Sequence, residues 1–144
     1  MSDTSGIVDE IKTGLGPVLR EVRETQAAQV VVEIHPGDLP GAAAFLDQIL
    51  DARFVISVGT DLRALGDGFR VDHIFSQDRR RTWIVLRTHT SGENPSVPSI
   101  TPVVPAANWS EREFQDLLGI RPEGHPDPRR LVLAPLLCLT EVAE

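Results

Sequence analysis

The chain has 144 residues, enough for one domain with its own core, and its 41% hydrophobic and 24% charged content is ordinary for a globular protein. Its net charge of −7 argues against nucleic-acid binding through a broad basic surface, because phosphate neutralisation needs clustered lysine and arginine. A single cysteine, Cys138, excludes an intrachain disulfide and is too few for an iron–sulfur cluster, which typically takes four thiolates.

Neither end of the sequence carries a secretory or membrane-spanning pattern. Residues 1–10 are acidic and lack an apolar signal core. The longest apolar run, 131–139, has 9 residues and contains Pro135, whereas a spanning helix needs roughly 20. We therefore expect any membrane association to come through partner subunits.

Helical and strand patterns alternate in the first part of the chain. Apolar residues at helical spacing across 7–22 predict a first helix, which the Gly-Leu-Gly-Pro sequence at 14–17 interrupts. The β-branched run Gln29–Ile34 predicts a strand, and the His-Pro-Gly sequence after it predicts a turn. Residues 39–50 then predict a second helix, with Asp38 as its expected cap.

A meander of three strands is predicted next. The strands and turns are strand 54–59, turn Gly66-Asp67-Gly68, strand 69–75, turn 78–81 and strand Thr82–Thr90. Four prolines keep 91–105 out of a central strand, because each removes a ladder donor, so only a short edge strand at 97–103 is expected. With a last helix at 106–118, this order predicts one α+β domain over 1–144. Its expected form is a two-layer sandwich, a largely antiparallel sheet with helices on one face.

The last helix carries several local signals. Ser110 and Glu113 have capping-box spacing, which would start the helix at Ser110. Arg112 and Asp116 are four residues apart and are expected to pair. An apolar stripe is expected to pack on the sheet, and it comprises Phe114, Leu117 and Leu118.

The loop after this helix resembles a surface built to hold a partner. Gly119 suits the left-handed position that ends a helix, and the prolines that follow restrict the backbone. A stiff loop loses little entropy on docking, which favours a defined interface. Arg129 and Arg130 are expected to make bidentate contacts to partner carboxylates.

These residues together resemble a family signature. The matching elements are Glu111-Arg112-Glu113, Asp116-Leu117, Gly119-Ile120, Glu123-Gly124-His125-Pro126-Asp127 and Arg129-Arg130, with lead-in segments at 97–101 and 105–109. They look like the C subunit, of the thirty-kilodalton subunit family, of respiratory NADH:quinone oxidoreductase (complex I). That family includes homologous subunits of energy-converting membrane hydrogenases. The specific match covers about 97–133, and Pro128, which stands where Leu is usual, is closer to the hydrogenase branch.

The resemblance implies a non-catalytic peripheral-arm subunit on the cytoplasmic side of the cell membrane. Members of this family dock against the large quinone-site subunit (the D subunit) and other peripheral-arm subunits, and so support electron transfer from NADH to quinone. They bind no cofactor themselves, since NADH, FMN, iron–sulfur clusters and quinone belong to other subunits. The alternative is the equivalent subunit of a membrane-bound energy-converting hydrogenase or formate hydrogenlyase complex.

By the same resemblance, the helix and loop at about 106–133 supply the partner interface, and no residue is catalytic or a metal ligand. The residues expected to form the interface and shape its loop are Glu111, Arg112, Glu113, Asp116, Gly119, Gly124, His125, Asp127, Arg129 and Arg130. Without the resemblance, 111–113 is interpreted simply as a solvated helix face.

The histidines have plainer interpretations than a reactive site. His125 has no Cys or second His at ligand spacing, which argues against a metal site. His73 alternates with apolar residues and is expected to be a hydrogen-bonded, half-buried strand residue. His35 is expected to lie in a turn, and its nearness to Asp38 offers the one acid/base pair for a stand-alone enzyme. A regulatory module that binds another protein through the same loop also stays open.

Two further segments are given structural interpretations. Arg79-Arg80-Arg81 is expected to be a solvated hairpin tip, with an acidic partner patch as the alternative. Cys138 lies in an apolar segment without a basic neighbour, so packing is expected rather than reactivity.

Overall fold

The computed structural model describes residues 4–26 and 28–133. Within them the helices and strands are α1 Thr4–Leu15, β1 Leu19–Gln26, β2 Gln29–Ile34, α2 Leu39–Ala44 continued by a π-helical turn Phe45–Ile49, β3 Arg53–Asp61, β4 Phe69–Gln77, β5 Thr82–Thr90, β6 Ser96–Pro98, α3 Asn108–Leu118 and β7 Arg121–Glu123. The predicted strands at 29–34 and 82–90 are confirmed residue for residue. Cys138 lies outside the described residues.

The strands form a five-stranded sheet in the order β1-β2-β5-β4-β3 and a separate ribbon of β6 and β7. Neighbours in the large sheet are antiparallel except β2 and β5, which run parallel, as β6 and β7 also do. Together with the helices, this sheet makes an α+β fold, so the predicted two-layer architecture with a largely antiparallel sheet is confirmed.

The core lies between the helices and one face of the sheet, because alternate residues of each strand point to it. Its largest fully buried members are Ile7 and Ile11 from α1, Ile34, Leu39 and Leu46 near α2, Phe69 and Phe75 from β4, Ile84 and Leu86 from β5, and Ile100 and Ile120 beside α3. The phenyl rings of Phe54 and Phe75 meet edge to face, with centroids 5.6 Å apart. This packing fixes the position of β3, against which α3 lies.

The helix predicted across 7–22 is wrong beyond Leu15. Gly16–Val18 forms a 3₁₀ turn, and Leu19–Gln26 is a strand that pairs antiparallel with β2. Pro17 explains the break, because proline has no amide N–H for a continuing helical hydrogen bond. Val22 then sits opposite Val32 and packs against the core, which accounts for its apolar character.

Three further predictions need correction. Asp38 precedes α2 but makes no side-chain cap hydrogen bond to the described backbone, since the chain enters the helix through the 3₁₀ turn Pro36–Asp38. The helix over 39–50 is confirmed as helical, but it widens into a π-helical turn from Phe45. The strand expected at 97–103 is shorter and outside the main sheet: β6 pairs instead with β7.

The other face of the sheet carries an apolar row beside a charged one. The apolar row crosses four strands at Val31, Val85, Ile74 and Ile56. In the adjacent row, Asp72 on β4 lies opposite Arg87 on β5, and Arg87 Nε donates to its carboxylate at 2.8 Å. Arg70, two residues before Asp72 on β4, has its Nε 3.2 Å from the same carboxylate. Asp72 is only 7% exposed, so these two arginines offset the cost of burying its charge.

Candidate functional site

The last helix begins on a 3₁₀ turn and is tied to the edge strand β3. Pro105–Ala107 forms that turn, and α3 follows over Asn108–Leu118. The Ser110 hydroxyl accepts a hydrogen bond from the Ser57 amide at 3.2 Å and donates one to the Ala107 carbonyl at 3.3 Å. Helical backbone starts before Ser110, so the predicted capping box with Glu113 is wrong.

Close contact between α3 and β3 depends on Gly59. A Cβ at this position would lie 2.8 Å from Leu118 Cδ1 and 3.1 Å from Phe114 Cβ, both tighter than normal packing. Phe114 is buried as predicted, but Leu117 is 57% exposed, so the predicted stripe is only partly correct. Gly119 ends the helix in the left-handed region at a φ of 74°, as predicted.

Glu111 has no exposed surface and holds the strap, residues 99–104, that leads into α3. Its carboxylate accepts hydrogen bonds from the Ser99 hydroxyl at 2.6 Å, the Ile100 amide at 3.0 Å and the Thr101 amide at 3.2 Å. The Thr101 hydroxyl donates to it as well. These donors replace the water that the buried carboxylate loses. The solvated-face interpretation is therefore wrong for Glu111, which holds the strap before α3.

Arg112 reaches the far end of the loop rather than Asp116. Its guanidinium donates to the carbonyl of Arg129 at 2.9 Å and to that of Arg130 at 3.1 Å. It also lies 3.8 Å from the Asp127 carboxylate and is 8% exposed. The planar guanidinium thus binds two successive main-chain oxygens, and the predicted pair with Asp116 is wrong.

Asp116 binds the backbone that follows this arginine pair. One of its carboxylate oxygens accepts the amides of Leu131 at 2.8 Å, Val132 at 2.6 Å and Leu133 at 3.2 Å. Burial alone would raise the pKa of Asp116, but these three amides and the nearby Arg130 charge lower it below its ordinary value. Arg112 and Asp116 together hold successive parts of the same segment against α3, and residues 119–133 are therefore called the clamped loop.

His125 supports the loop from inside. Its Nδ1 accepts the Asp127 amide at 2.9 Å, so the proton must lie on Nε2, which donates to the Asn108 carbonyl at 3.2 Å. The ring is 8% exposed. Gly124 before it takes a φ of 80°, a left-handed turn that suits glycine. These two residues shape the loop.

Asp127 and Arg129 form an exposed ion pair. Arg129 Nε and Nη2 donate to the two carboxylate oxygens of Asp127 at 2.7 and 2.9 Å. This bonding, with the charge of Arg112 behind it, holds the pKa of Asp127 well below its ordinary value. The Arg129 side chain is 83% exposed. The bidentate contact expected toward a partner is thus made within the chain, to a carboxylate that positions Arg129 at the surface.

The ten expected interface residues therefore divide by burial. Glu111, Arg112 and His125 lie inside and act on main-chain atoms or strap hydroxyls, as the partly buried Asp116 does. Asp127 and Arg130 are also partly buried. The members that lie fully on the surface are Glu113, Gly119, Gly124 and Arg129. Exposed apolar side chains accompany them, with Trp109 69% and Val132 56% exposed.

Sequence patterns did not assign roles to several residues that build this site. Ser99 and Thr101 supply the hydroxyls that bind Glu111, and Ser57 and Gly59 receive α3 on β3. Two hydroxyl residues inside a proline-rich strap are a weak signal for a buried acid partner. The β3 residues carried no signal, because their role depends on a helix roughly fifty residues later.

The remaining candidates have structural roles. His73 is fully buried, its Nδ1 lies 2.5 Å from the Ser57 hydroxyl, and burial lowers its pKa to about 3. The hydrogen bond is as predicted, although the burial is deeper. Arg79 is 85% exposed at the hairpin tip, whereas Arg80 donates to Glu10 at 2.6 Å, so the tip is only partly solvated. His35 lies in the predicted turn.

Within 4–26 and 28–133, no three His, Cys, Asp or Glu side chains come together as a metal-binding group. None of the helices in the same residues has the length and apolar content that crossing a bilayer requires. The Asn108 and Gln115 side-chain oxygens on α3 are buried without a hydrogen-bond partner among the described residues.

A known protein family matches most of the elements described above. The model of the family described as respiratory-chain NADH dehydrogenase, 30 kDa subunit, matches residues 32–138. The chain belongs to this family. The matched residues run from β2 through α3 and the clamped loop, so the predicted resemblance is confirmed.

Relatives carry names from both branches of the family. Hydrogenase-4 component G of Escherichia coli (strain K12) is 37% identical over 119 residues, covering 82% of this chain and 21% of its own length. The NADH-quinone oxidoreductase C subunit of Sinorhizobium medicae is 42% identical over 135 residues, covering 87% and 67%. The NADH-quinone oxidoreductase C/D subunit of Edwardsiella ictaluri is 29% identical over 140 residues, covering 88% and 23%. The chain thus spans about a fifth of the length of the hydrogenase-4 relative.

A solved structure of Nqo5, a trypsin-resistant fragment (1-134), has the same fold. Its TM-score is 0.70 at 22% identity, and the alignment covers 86% of this chain and 98% of that one.

Proposed function

We propose that this chain is a non-catalytic peripheral-arm subunit of a complex I-type NADH:quinone oxidoreductase, on the cytoplasmic side of the membrane. It docks against the large quinone-site subunit, the D subunit. Electrons pass from NADH to quinone through FMN and iron–sulfur clusters that other subunits hold. Family membership supports the kind of complex, and relatives named as a C/D subunit support a neighbouring D subunit.

One observation carries the docking role: the charged side chains of α3 are used to preform the loop. Arg112 binds the Arg129 and Arg130 carbonyls, and Asp116 binds the three amides after them. Held in this way, the loop has little conformational entropy left to lose when a partner binds. Arg129 is presented outward on this fixed backbone, ready for a partner carboxylate.

The second candidate is the equivalent subunit of a membrane-bound hydrogenase or formate hydrogenlyase complex. The similarity to hydrogenase-4 component G, at 37% identity, favours it. Pro128 in the clamped loop also favours this branch. Both candidates use the same interface and differ in the large subunit that it receives.

The test compares two matched charge reversals in the tagged chain, purified from its own cells. Arg129→Glu breaks the Asp127–Arg129 pair, and Arg63→Glu breaks the equivalent pair with Asp61, whose bonds measure 3.0 and 2.7 Å. Both pairs join exposed residues two apart, but Arg63 lies on the β3–β4 turn. We expect Arg129→Glu to weaken capture of the large subunit about tenfold or more, while Arg63→Glu retains it.

Equal retention by both variants would show that the loop is not the docking surface. A stronger loss from Arg63→Glu would place the interface at the β3–β4 turn. Mass spectrometry of the captured large subunit then separates the branches, because the large subunits of complex I and of a hydrogenase are different proteins. A wild-type chain that runs alone on gel filtration of cell extract would contradict both candidates.

A further inference from the structure

Exposed aliphatic side chains gather where α3 meets the edge strand β3. Ile56 and Val58 lie on β3 and are 44% and 39% exposed. Leu117 on α3 is 57% exposed beside them. Single exposed aliphatic residues are ordinary, but a contiguous apolar patch on a charged protein marks an interaction surface.

The patch contains a groove whose size fits a protein side chain. The groove measures about 220 Å³ and is lined by Ile56, Ser57, Val58, Phe114, Leu117 and Leu118 among others. This volume is below the roughly 300–1,000 Å³ of small-molecule sites, so a small ligand would not be well enclosed. An apolar side chain from a partner fills such a space well.

The edge of β3 does not favour an added strand. The Ser57 amide, in the middle of the strand, is already bonded to the Ser110 hydroxyl at 3.2 Å. A register shift between Phe54 and Ile56 also disturbs the edge. Because strand addition needs a continuous row of free amides and carbonyls, a partner must dock through side chains. A helix that lays its apolar face along the groove meets this requirement.

Glu113 supplies the charge that selects this partner. It lies on the groove wall between Ser110 and Leu117, it is exposed, and no ion pair involves it within residues 4–26 and 28–133. An acid at the rim of an apolar groove favours a partner with a basic residue at the matching position.

We propose that this groove receives an amphipathic helix of another protein, with apolar residues at helical spacing and a lysine or arginine that pairs with Glu113. This surface lies on the β3 side of α3 and is separate from the clamped loop. The inference goes beyond the proposed function, since it holds whether or not the loop docks a large quinone-site subunit.

The test is photo-crosslinking in the cells that make the protein. A benzophenone amino acid replaces Val58 in the full chain, and the control places it at Ile49, which is 70% exposed but lines a different concavity beside α1. We expect an adduct from position 58 and none to the same protein from position 49. Mass spectrometry should find a crosslinked peptide with apolar residues three and four apart and a neighbouring lysine or arginine.

A charge series makes the test specific. Glu113→Lys should lower the adduct yield about tenfold or more, Glu113→Gln should lower it less, and reversing the partner's basic residue should restore the yield with Glu113→Lys. The inference would be overturned by any of three results: no adduct, an adduct to a second copy of this chain, or an adduct yield that is the same with Glu113→Lys as with the wild-type residue. Capture of the large subunit by Arg129→Glu tests the loop separately. If the chain still binds its large subunit but gives no adduct from position 58, only the groove inference is contradicted.

Discussion

The two halves of this molecule are held together by different forces. The sheet, α1 and α2 are joined by apolar side chains, many of them fully buried, such as Ile11, Leu46 and Phe75. The strap, α3 and the following loop share that core through Ile100, Phe114 and Ile120, but they are joined in addition by charged side chains that bond to main-chain atoms, chiefly Glu111, Arg112 and Asp116. Apolar burial is non-directional, whereas hydrogen bonds to the backbone require one geometry. The loop of the second half is therefore held in one geometry by directional bonds, and this is the feature on which the proposed docking role rests.

The largest expected effect is in the apolar half. Phe75→Ala removes a fully buried ring that packs against Phe54, and we expect it to cost about 3–5 kcal/mol of unfolding free energy. Chemical denaturation measures this, and the whole domain should lose stability together. A cost near zero would mean that the sheet does not depend on this apolar contact, and the contrast between the halves would fail.

The matching change in the polar half is Glu111→Gln, with Glu113→Gln as its control in the same helix. The NH₂ group of the glutamine would replace a carboxylate oxygen that accepts backbone N–H groups of the strap, and two donors would then face each other. We expect the free energy of unfolding to fall by roughly 2–3 kcal/mol. Glu113 is exposed, and its replacement should stay within about 0.5 kcal/mol. Denaturation gives both values, and hydrogen exchange should become faster at Ile100 and Thr101 in the Glu111→Gln variant. Equal effects of the two changes would contradict the strap-holding role.

The junction between the halves is tested at Gly59. Gly59→Ala places a Cβ 2.8 Å from Leu118 Cδ1 and 3.1 Å from Phe114 Cβ, so α3 must move away from β3. We expect a cost of about 1–3 kcal/mol, as for other overpacked sites. Gly41→Ala is the control, because a Cβ there meets no described atom within 4 Å. If Gly59→Ala is as mild as Gly41→Ala, the two halves are less tightly joined than the distances indicate.

The last effect is zero at neutral pH and grows only on acidification, and it concerns the apolar half. Burial lowers the pKa of His73 to about 3 from its ordinary 6.5, so between these values the unfolded chain binds a proton that the native chain does not. Stability is then complete above pH 6.5 and falls by up to roughly 1.4 kcal/mol per pH unit on acidification toward pH 3. Asp116 and Asp127, whose pKa values are lowered, contribute above the ordinary 3.8 and lose that contribution only at lower pH.

Denaturation between pH 6.5 and 4.5 of the wild-type chain and of His73→Leu gives the His73 contribution as their difference, and His73→Leu should show the flatter curve. An unchanged slope in His73→Leu would show that another group titrates in this range.

The sequence was sufficient for much of the sheet. Strands β2 and β5 matched their predicted bounds because continuous apolar and β-branched runs allow few other structures. It was insufficient for β1, whose residues also fit a helical period. Pro17 after Gly16 signals a break there, but the apolar spacing continues past it. Pairing with β2, a tertiary contact, decided the outcome.

At the candidate site, the residues themselves determined the family and the position of the loop, and Gly119 ended its helix as local geometry requires. Which charges face outward was decided only by the tertiary structure. Glu111 and Glu113 look equivalent along the chain, yet one binds the strap inside and the other lies at the surface. Helical position puts Glu111 on the same face as Phe114 and Leu118. It does not say that a carboxylate can be buried there, because that depends on which distant segment packs against the face and bonds to it. The hydroxyls and amides at 99–101 cover one side of α3 and bond to Glu111. These hydrogen bonds join segments about ten residues apart and exist only in the folded chain.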